Sequence, residues 1–131
     1  MGLIYLDTCL LIYGIENLPV WFNPVREALA SQAEGQFAIS PLVKTECLVK
    51  PIRQGDTALQ WRYESAIAQF VQLPLNDAVF LQAAQMRARF NLKTPDALHL
   101  ACAQHHGCTA LWTNDDRLAQ AAHGLARNVL Q

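Results

Sequence analysis

Excess charge of either sign is what this chain most lacks. Its 131 residues carry ten Lys and Arg against eleven Asp and Glu, a formal net charge of -1. That balance excludes a basic nucleic-acid coat, so any grip on a polyanion must come from local cations or bound metal ions. Apolar runs of about 18 residues are also missing, which excludes a transmembrane helix. No basic segment precedes the first apolar run, so no secretory leader is expected, and a cytoplasmic location is. The four cysteines, Cys9, Cys47, Cys102 and Cys108, include no Cys-x-x-Cys pair. A zinc knuckle or a thioredoxin-type site is thereby excluded, and reduced, mostly buried thiols are expected. Repeats, linkers and low-complexity segments are lacking too, so one domain over residues 1–131 is expected. Charged residues make up only 16% and hydrophobic ones 52%, too little charge for disorder and enough apolar material for a core.

What is present alternates. Leu3-Ile4-Tyr5-Leu6 is a short, continuously apolar run, the mark of a strand buried on both faces. Further strands are expected at Phe37–Ser40, Val71–Leu73, Thr109–Trp112 and, at an edge, Asn128–Leu130. Between them lie helical patterns. One begins at Leu10–Tyr13 and ends near Gly14, and one runs from Pro24 to Ala33 before Gly35. A third opens at Pro41, with Ser40 as its cap, and is broken at Pro51 and Gly55. A fourth spans Ala58–Phe70, with Leu59, Tyr63 (or Arg62), Ala66, Ile67 and Phe70 inward. A fifth is capped by Asn76 or Asp77 and carries Val79, Leu81, Ala84, Met86 and Phe90. A sixth opens at Thr94-Pro95 and stops at Gly107, and a last one covers Arg117–His123 before Gly124. Strands alternating with helices imply an α/β fold: a three-layer α/β/α sandwich around a small, mostly parallel sheet.

Four acidic residues stand out against that pattern. Asp7 and Asp115 each follow an apolar strand, so in a parallel sheet both emerge at its carboxyl edge, where open α/β sheets bind ligands. Asp96 falls in the first turn of the helix that starts at Pro95. Glu46 sits on a stripe with Leu42, Val43 and Val49, where an unpartnered carboxylate would be expensive. Three of them have a plainer reading. Asp7 and Asp96 would serve as helix-start acids, and Glu46 would pair with Lys50 at i+4. Four carboxylates on one rim repel each other, however, and a hard divalent cation, Mg2+ or Mn2+, resolves that conflict. Thr8 and Thr113 could hold the carboxylates or waters from behind. His99, three residues after Asp96, is either a helper or simply packed among apolar neighbours.

The chain resembles the PIN-domain ribonucleases, and most closely the VapC-like toxins of bacterial type II toxin–antitoxin pairs. The resemblance runs through Ile4-Tyr5-Leu6-Asp7-Thr8, through Ser40-Pro41 to Glu46, through Thr94-Pro95-Asp96-Ala97-Leu98-His99-Leu100-Ala101, and through Leu111-Trp112-Thr113-Asn114-Asp115. It implies a PIN-like sandwich and metal-dependent cleavage of RNA. It also implies a metal-binding acidic site made of Asp7, Glu46, Asp96 and Asp115, homodimers, and silencing by a small antitoxin protein that covers the site. Cys9 departs from the small polar residue usual there. Asp116 supplies an extra acid, and the Thr-Asn-Asp pattern selects Asp115 with Asp116 as a substitute.

Three other readings compete. Cys47 to Arg53 matches the cysteine-x5-arginine string of tyrosine phosphatases, but without glycine in the loop and inside a predicted helix. A haloacid dehalogenase-type phosphatase needs a second Asp two residues after the first, and position 9 is Cys. A scaffold module of the same fold would keep the acids without cutting. For a nuclease, the candidate substrate-gripping cations are Lys44, Lys50, Arg53, Arg87, Arg89 and Lys93. Trp21, Phe22 and Trp61 are candidates for a partner groove or for the core.

Overall fold

The computed structural model describes residues 2–16, 20, 22–31, 36–121 and 124–129. Five strands, β1 (Leu3–Leu6), β2 (Gln36–Ile39), β3 (Val71–Gln72), β4 (Ala110–Thr113) and β5 (Ala126–Asn128), form one sheet in the order β3-β2-β1-β4-β5. Every neighbouring pair is parallel. The helices are α1 (Thr8–Ile15), α2 (Phe22–Ala30), α3 (Pro41–Gln54), α4 (Thr57–Ile67), α5 (Asp77–Phe90), α6 (Thr94–His105) and α7 (Asp116–Ala121). Right-handed crossovers place the helices between β1 and β3 on one face and those between β3 and β5 on the other. This is the expected three-layer α/β/α sandwich.

The central strands are mostly apolar because both faces are covered. All of β4 is buried, as are Ile4, Tyr5 and Leu6 of β1. Chain order reverses between β1 and β4: successive strands run outward on one side of β1 and then cross back to β4. That reversal opens a crevice at the carboxyl ends of the two strands. Asp7 N–H donates to Trp112 O at 3.0 Å and pins the mouth of that crevice.

Several local expectations shift. α3 does not break at Pro51 but runs on to Gln54. The missing N–H costs one bond near the helix end, the proline ring is buried, and Gly55 at φ 64° closes the helix. Ser40 occupies the N-cap position of α3 without a capping bond, because its hydroxyl is spent elsewhere. Lys93, rather than Thr94, is the N-cap of α6. In α5 the inward phase is Val79, Ala83 and Met86, while Leu81 and Ala84 face out. Val49 is exposed beside its stripe on α3, and so is Trp61 on α4. Ala33, Gly35, His123, Leu130 and Trp21, and the side chain of Phe22, lie outside the described residues. All four cysteines are free thiols, three of them buried. Among the described residues no helix is long and apolar enough to cross a membrane.

Candidate active site

The carboxyl edge of β1 and β4 gathers all four acids expected there. Asp7 follows β1 directly and is 9% exposed. Its Oδ1 accepts from Thr8 N–H at 2.8 Å, and its Oδ2 accepts from the Thr113 hydroxyl at 2.7 Å. Thr113 ends β4, and its Oγ1 in turn accepts from Asp115 N–H at 3.0 Å. One threonine hydroxyl thus ties the acid after β1 to the acid after β4. Asp115 Oδ1 accepts from Arg117 N–H at 2.9 Å and so opens α7.

Glu46 comes to the same edge from α3. Its Oε1 accepts from the Thr8 hydroxyl at 2.6 Å and faces His99 Nε2 at 2.7 Å. Lys50, its expected partner, instead pairs with Glu16. His99 stands on α6, is 1% exposed, and also lies 3.7 Å from Asp7 Oδ1. Its Nδ1 is 2.7 Å from the Tyr5 hydroxyl, which is 2.7 Å from Ser40 Oγ. Nε2–H can donate to the Glu46 carboxylate, while Nδ1 meets the Tyr5 hydroxyl. Burial pushes the Tyr5 phenol well above its ordinary value, against the opposing Ser40 hydrogen bond. Tyr5 therefore stays a hydroxyl able to donate and accept at once.

The electrostatics follow from this crowding. Burial raises the Glu46 carboxyl, but hydrogen bonds from His99 and Thr8 and the His99 charge outweigh it, and Glu46 ends below its ordinary range. Asp96 is raised, first by burial and then by the charges of Asp115 and Asp7, with a smaller push from Glu46. No hydrogen bond to its carboxylate occurs among the described residues to offset them. Asp96 and Asp115 line one cleft with Asn91, Leu92, Lys93 and Arg117. Asp116 is exposed on α7, with its Oδ1 accepting from Asn128 at 3.0 Å.

An all-oxygen donor set whose charges push up the Asp96 carboxyl fits a hard divalent cation in chemistry. Among the described residues, no group of three or more His, Cys, Asp or Glu side chains already stands in a metal-holding arrangement.

Residues 4–124 match the profile of the PIN domain. The chain belongs to the PIN domain family. Solved structures share the fold. A toxin–antitoxin complex from Klebsiella pneumoniae aligns over 96% of this chain and 97% of its own, with TM-score 0.81 and 23% identity. VapC20 of Mycobacterium tuberculosis, described as a sarcin–ricin loop cleaving toxin, aligns over 90% and 94% with TM-score 0.77 and 15% identity. VapBC2 from Rickettsia felis, bound to a promoter DNA fragment, aligns over 95% and 97% with TM-score 0.76 and 16% identity. A cobyric acid synthase from a Polaromonas species is 34% identical over 113 residues, 74% of this chain, and the match spans only 22% of that relative's length.

Two side chains of this PIN-domain site were not legible as participants. Tyr5 reads from sequence as one more apolar strand residue, yet its hydroxyl joins Ser40 to His99. Arg117 is not among the cations singled out from the sequence, yet it lines the carboxylate cleft. Conversely, Arg87 is a brace: its Nε donates to Leu92 O at 2.9 Å. The phosphatase reading of Cys47 fails, because Cys47 is buried inside α3 and its thiol is pushed up to about 12 by burial and the nearby Glu46 and Glu16 charges.

Proposed function

We propose that this chain is a metal-dependent endoribonuclease that hydrolyses RNA phosphodiester bonds, and that it serves as the toxin of a toxin–antitoxin pair. The observation that carries the reading is the convergence of Asp7, Glu46, Asp96 and Asp115 on the carboxyl edge of β1 and β4, through Thr8, Thr113 and a shared cleft. Evenly charged chains do not ordinarily converge four carboxylates on one crevice without a use for them. The PIN-domain membership and the toxin–antitoxin names of the structural relatives support the same reading.

Asp7, Asp96 and Asp115 would hold Mg2+ or Mn2+, with Glu46 as a further ligand or as the group that orients water. Such an ion, when bound, lowers the pKa of a coordinated water and offsets charge on phosphate oxygens. The remaining work falls to the chain. Thr113 and Thr8 N–H fix Asp7 so that both its oxygens are already oriented. His99 and the Thr8 hydroxyl keep Glu46 ionised and aimed, so it can accept a hydrogen bond from the attacking water. A homodimer, and a small antitoxin protein covering the crevice, complete the proposal.

The test is cleavage of total cellular RNA by the purified chain with magnesium, with manganese and with EDTA, beside Asp7→Asn. Discrete fragments that require both metal and Asp7 are expected. Absence of cleavage by a folded chain, or cleavage indifferent to Asp7, would overturn the reading and favour a scaffold role.

A further inference from the structure

We propose that Lys93 and Arg117 form a phosphate subsite beside the carboxylates, one that grips the RNA backbone next to the bond being cut. This rests on the nuclease reading above and names how that site holds its substrate. The cleft that contains Asp96 and Asp115 has a volume of about 140 Å³, and its other wall is Asn91, Leu92, Lys93 and Arg117. Two cations and two acids therefore share one small space. Among the described residues, neither Lys93 nor Arg117 forms an ion pair with them; the pairs present join Lys50 to Glu16 and His99 to Asp7 and Glu46. Cations placed beside carboxylates only to neutralise them would close onto them. These stand off.

The position of Lys93 is built. α5 ends at Asn91, whose φ of 54° is left-handed, and Asn91 N–H donates to Arg87 O at 3.3 Å. Arg87 reaches forward to Leu92 O at 2.9 Å, and the Leu92 side chain is buried. With the turn tied at both ends, Lys93 emerges at the rim three residues before Asp96. There it is the N-cap of the twelve-residue helix α6 and makes no capping bond. A cation at a helix N-terminus has the wrong sign for the macrodipole, and lysine is a poor cap. Local rules broken at a crevice mark a place where function outweighs propensity. Arg117 converges from α7, and its guanidinium suits bidentate contact with phosphate oxygens. A polynucleotide supplies the matching ligand, because it carries a further phosphate one nucleotide along from the scissile one.

Binding of a labelled, mixed-sequence single-stranded RNA in magnesium tests this, in an Asp7→Asn chain so that the probe survives. Lys93→Ala with Arg117→Ala should weaken binding about 10-fold or more at moderate salt. The slope of log affinity against log salt should fall by about 0.7, the value for one single-strand phosphate that is no longer neutralised. Lys93→Arg with Arg117→Lys should keep the slope. In the chain with Asp7 intact, the alanine pair should raise KM and leave kcat within about threefold, the mark of lost uniform binding. An unchanged slope and affinity, or no RNA binding by the parent chain, would overturn the subsite. Cleavage with an unchanged slope would sink the subsite and leave the nuclease standing. Binding that depends on Lys93 and Arg117, without cleavage in any divalent metal, would do the reverse.

Discussion

His99 Nε2 lies 2.7 Å from Glu46 Oε1, and that single contact ties α6 to α3 at the mouth of the crevice. The imidazole is fully buried and the carboxylate partly so. Neither can turn to water without leaving the other short of a partner. His99→Leu should therefore cost about 2 kcal/mol of stability, the scale of an unsatisfied buried polar group, and lower cleavage about 10–100-fold, as loss of a supporting partner commonly does. His99→Gln keeps an N–H donor and should recover part of both. Thermal melts beside cleavage rates check this; full activity in His99→Leu would remove His99 from the site.

Asp96 should cost stability in return for activity. Its folded-state carboxyl is raised by burial and by Asp115 and Asp7. The ionised form is thus disfavoured in the folded chain, and the penalty is present at neutral pH and relieved as pH falls through the raised value. Asp96→Asn removes it. The metal-free variant should melt a few degrees higher at pH 7, given that 1 kcal/mol moves a domain of this size by about 4 °C, and the gap should close in acid. Manganese should raise the midpoint of the parent chain and not that of the variant. A variant less stable than its parent at neutral pH would contradict the repulsion.

The strands, Asp7 and Asp115 were legible because each rests on a local pattern: an apolar run, then an acid at its end. Asp7 and Asp115 needed only the rule that parallel strands share a carboxyl edge. The partners of Glu46 were not legible. Lys50 at i+4 was the local candidate, but Glu16, at the end of α1, captures it. Tyr5 could not be read either, since a buried tyrosine and a buried apolar residue look alike in a strand until something meets the hydroxyl. Pro51 misled for a related reason. A proline predicts a break, but its burial in the last turn of α3 leaves little helix to lose.

Glu16 gives a pH dependence of the opposite sign. Burial raises its carboxyl, but the Lys50 and Tyr63 hydrogen bonds and the charges of Lys50 and Arg62 outweigh it and leave it lowered. Its contribution is fully present above the ordinary glutamate value of about 4.3 and is lost as pH falls through the lower folded value. Urea unfolding of the parent and Glu16→Gln should differ at about pH 6 and converge as pH falls through the lowered folded value of Glu16. Since Lys50 is exposed, the gap should be modest, under about 1 kcal/mol, and should shrink in salt. A gap that persisted in acid would assign it to packing.

Thr113 joins the two strands' acids through one oxygen. Its hydroxyl donates to Asp7 Oδ2 at 2.7 Å and accepts from Asp115 N–H at 3.0 Å. Thr113→Val preserves the β-branched shape that β4 needs and removes only that oxygen. Two groups then lose a partner at once, Asp7 Oδ2 and the Asp115 N–H. Destabilisation of about 1–3 kcal/mol is expected from unsatisfied groups at a buried position. Cleavage should fall further than stability accounts for, because Asp7 is freed to turn away from the crevice. Thr113→Ser restores the oxygen on a thinner side chain and should regain most of the activity while remaining somewhat destabilised. Activity that tracked melting temperature alone across Thr113, Thr113→Ser and Thr113→Val would show that the hydroxyl supports only the fold. Separation of the two would show that it sets the geometry of the carboxylates.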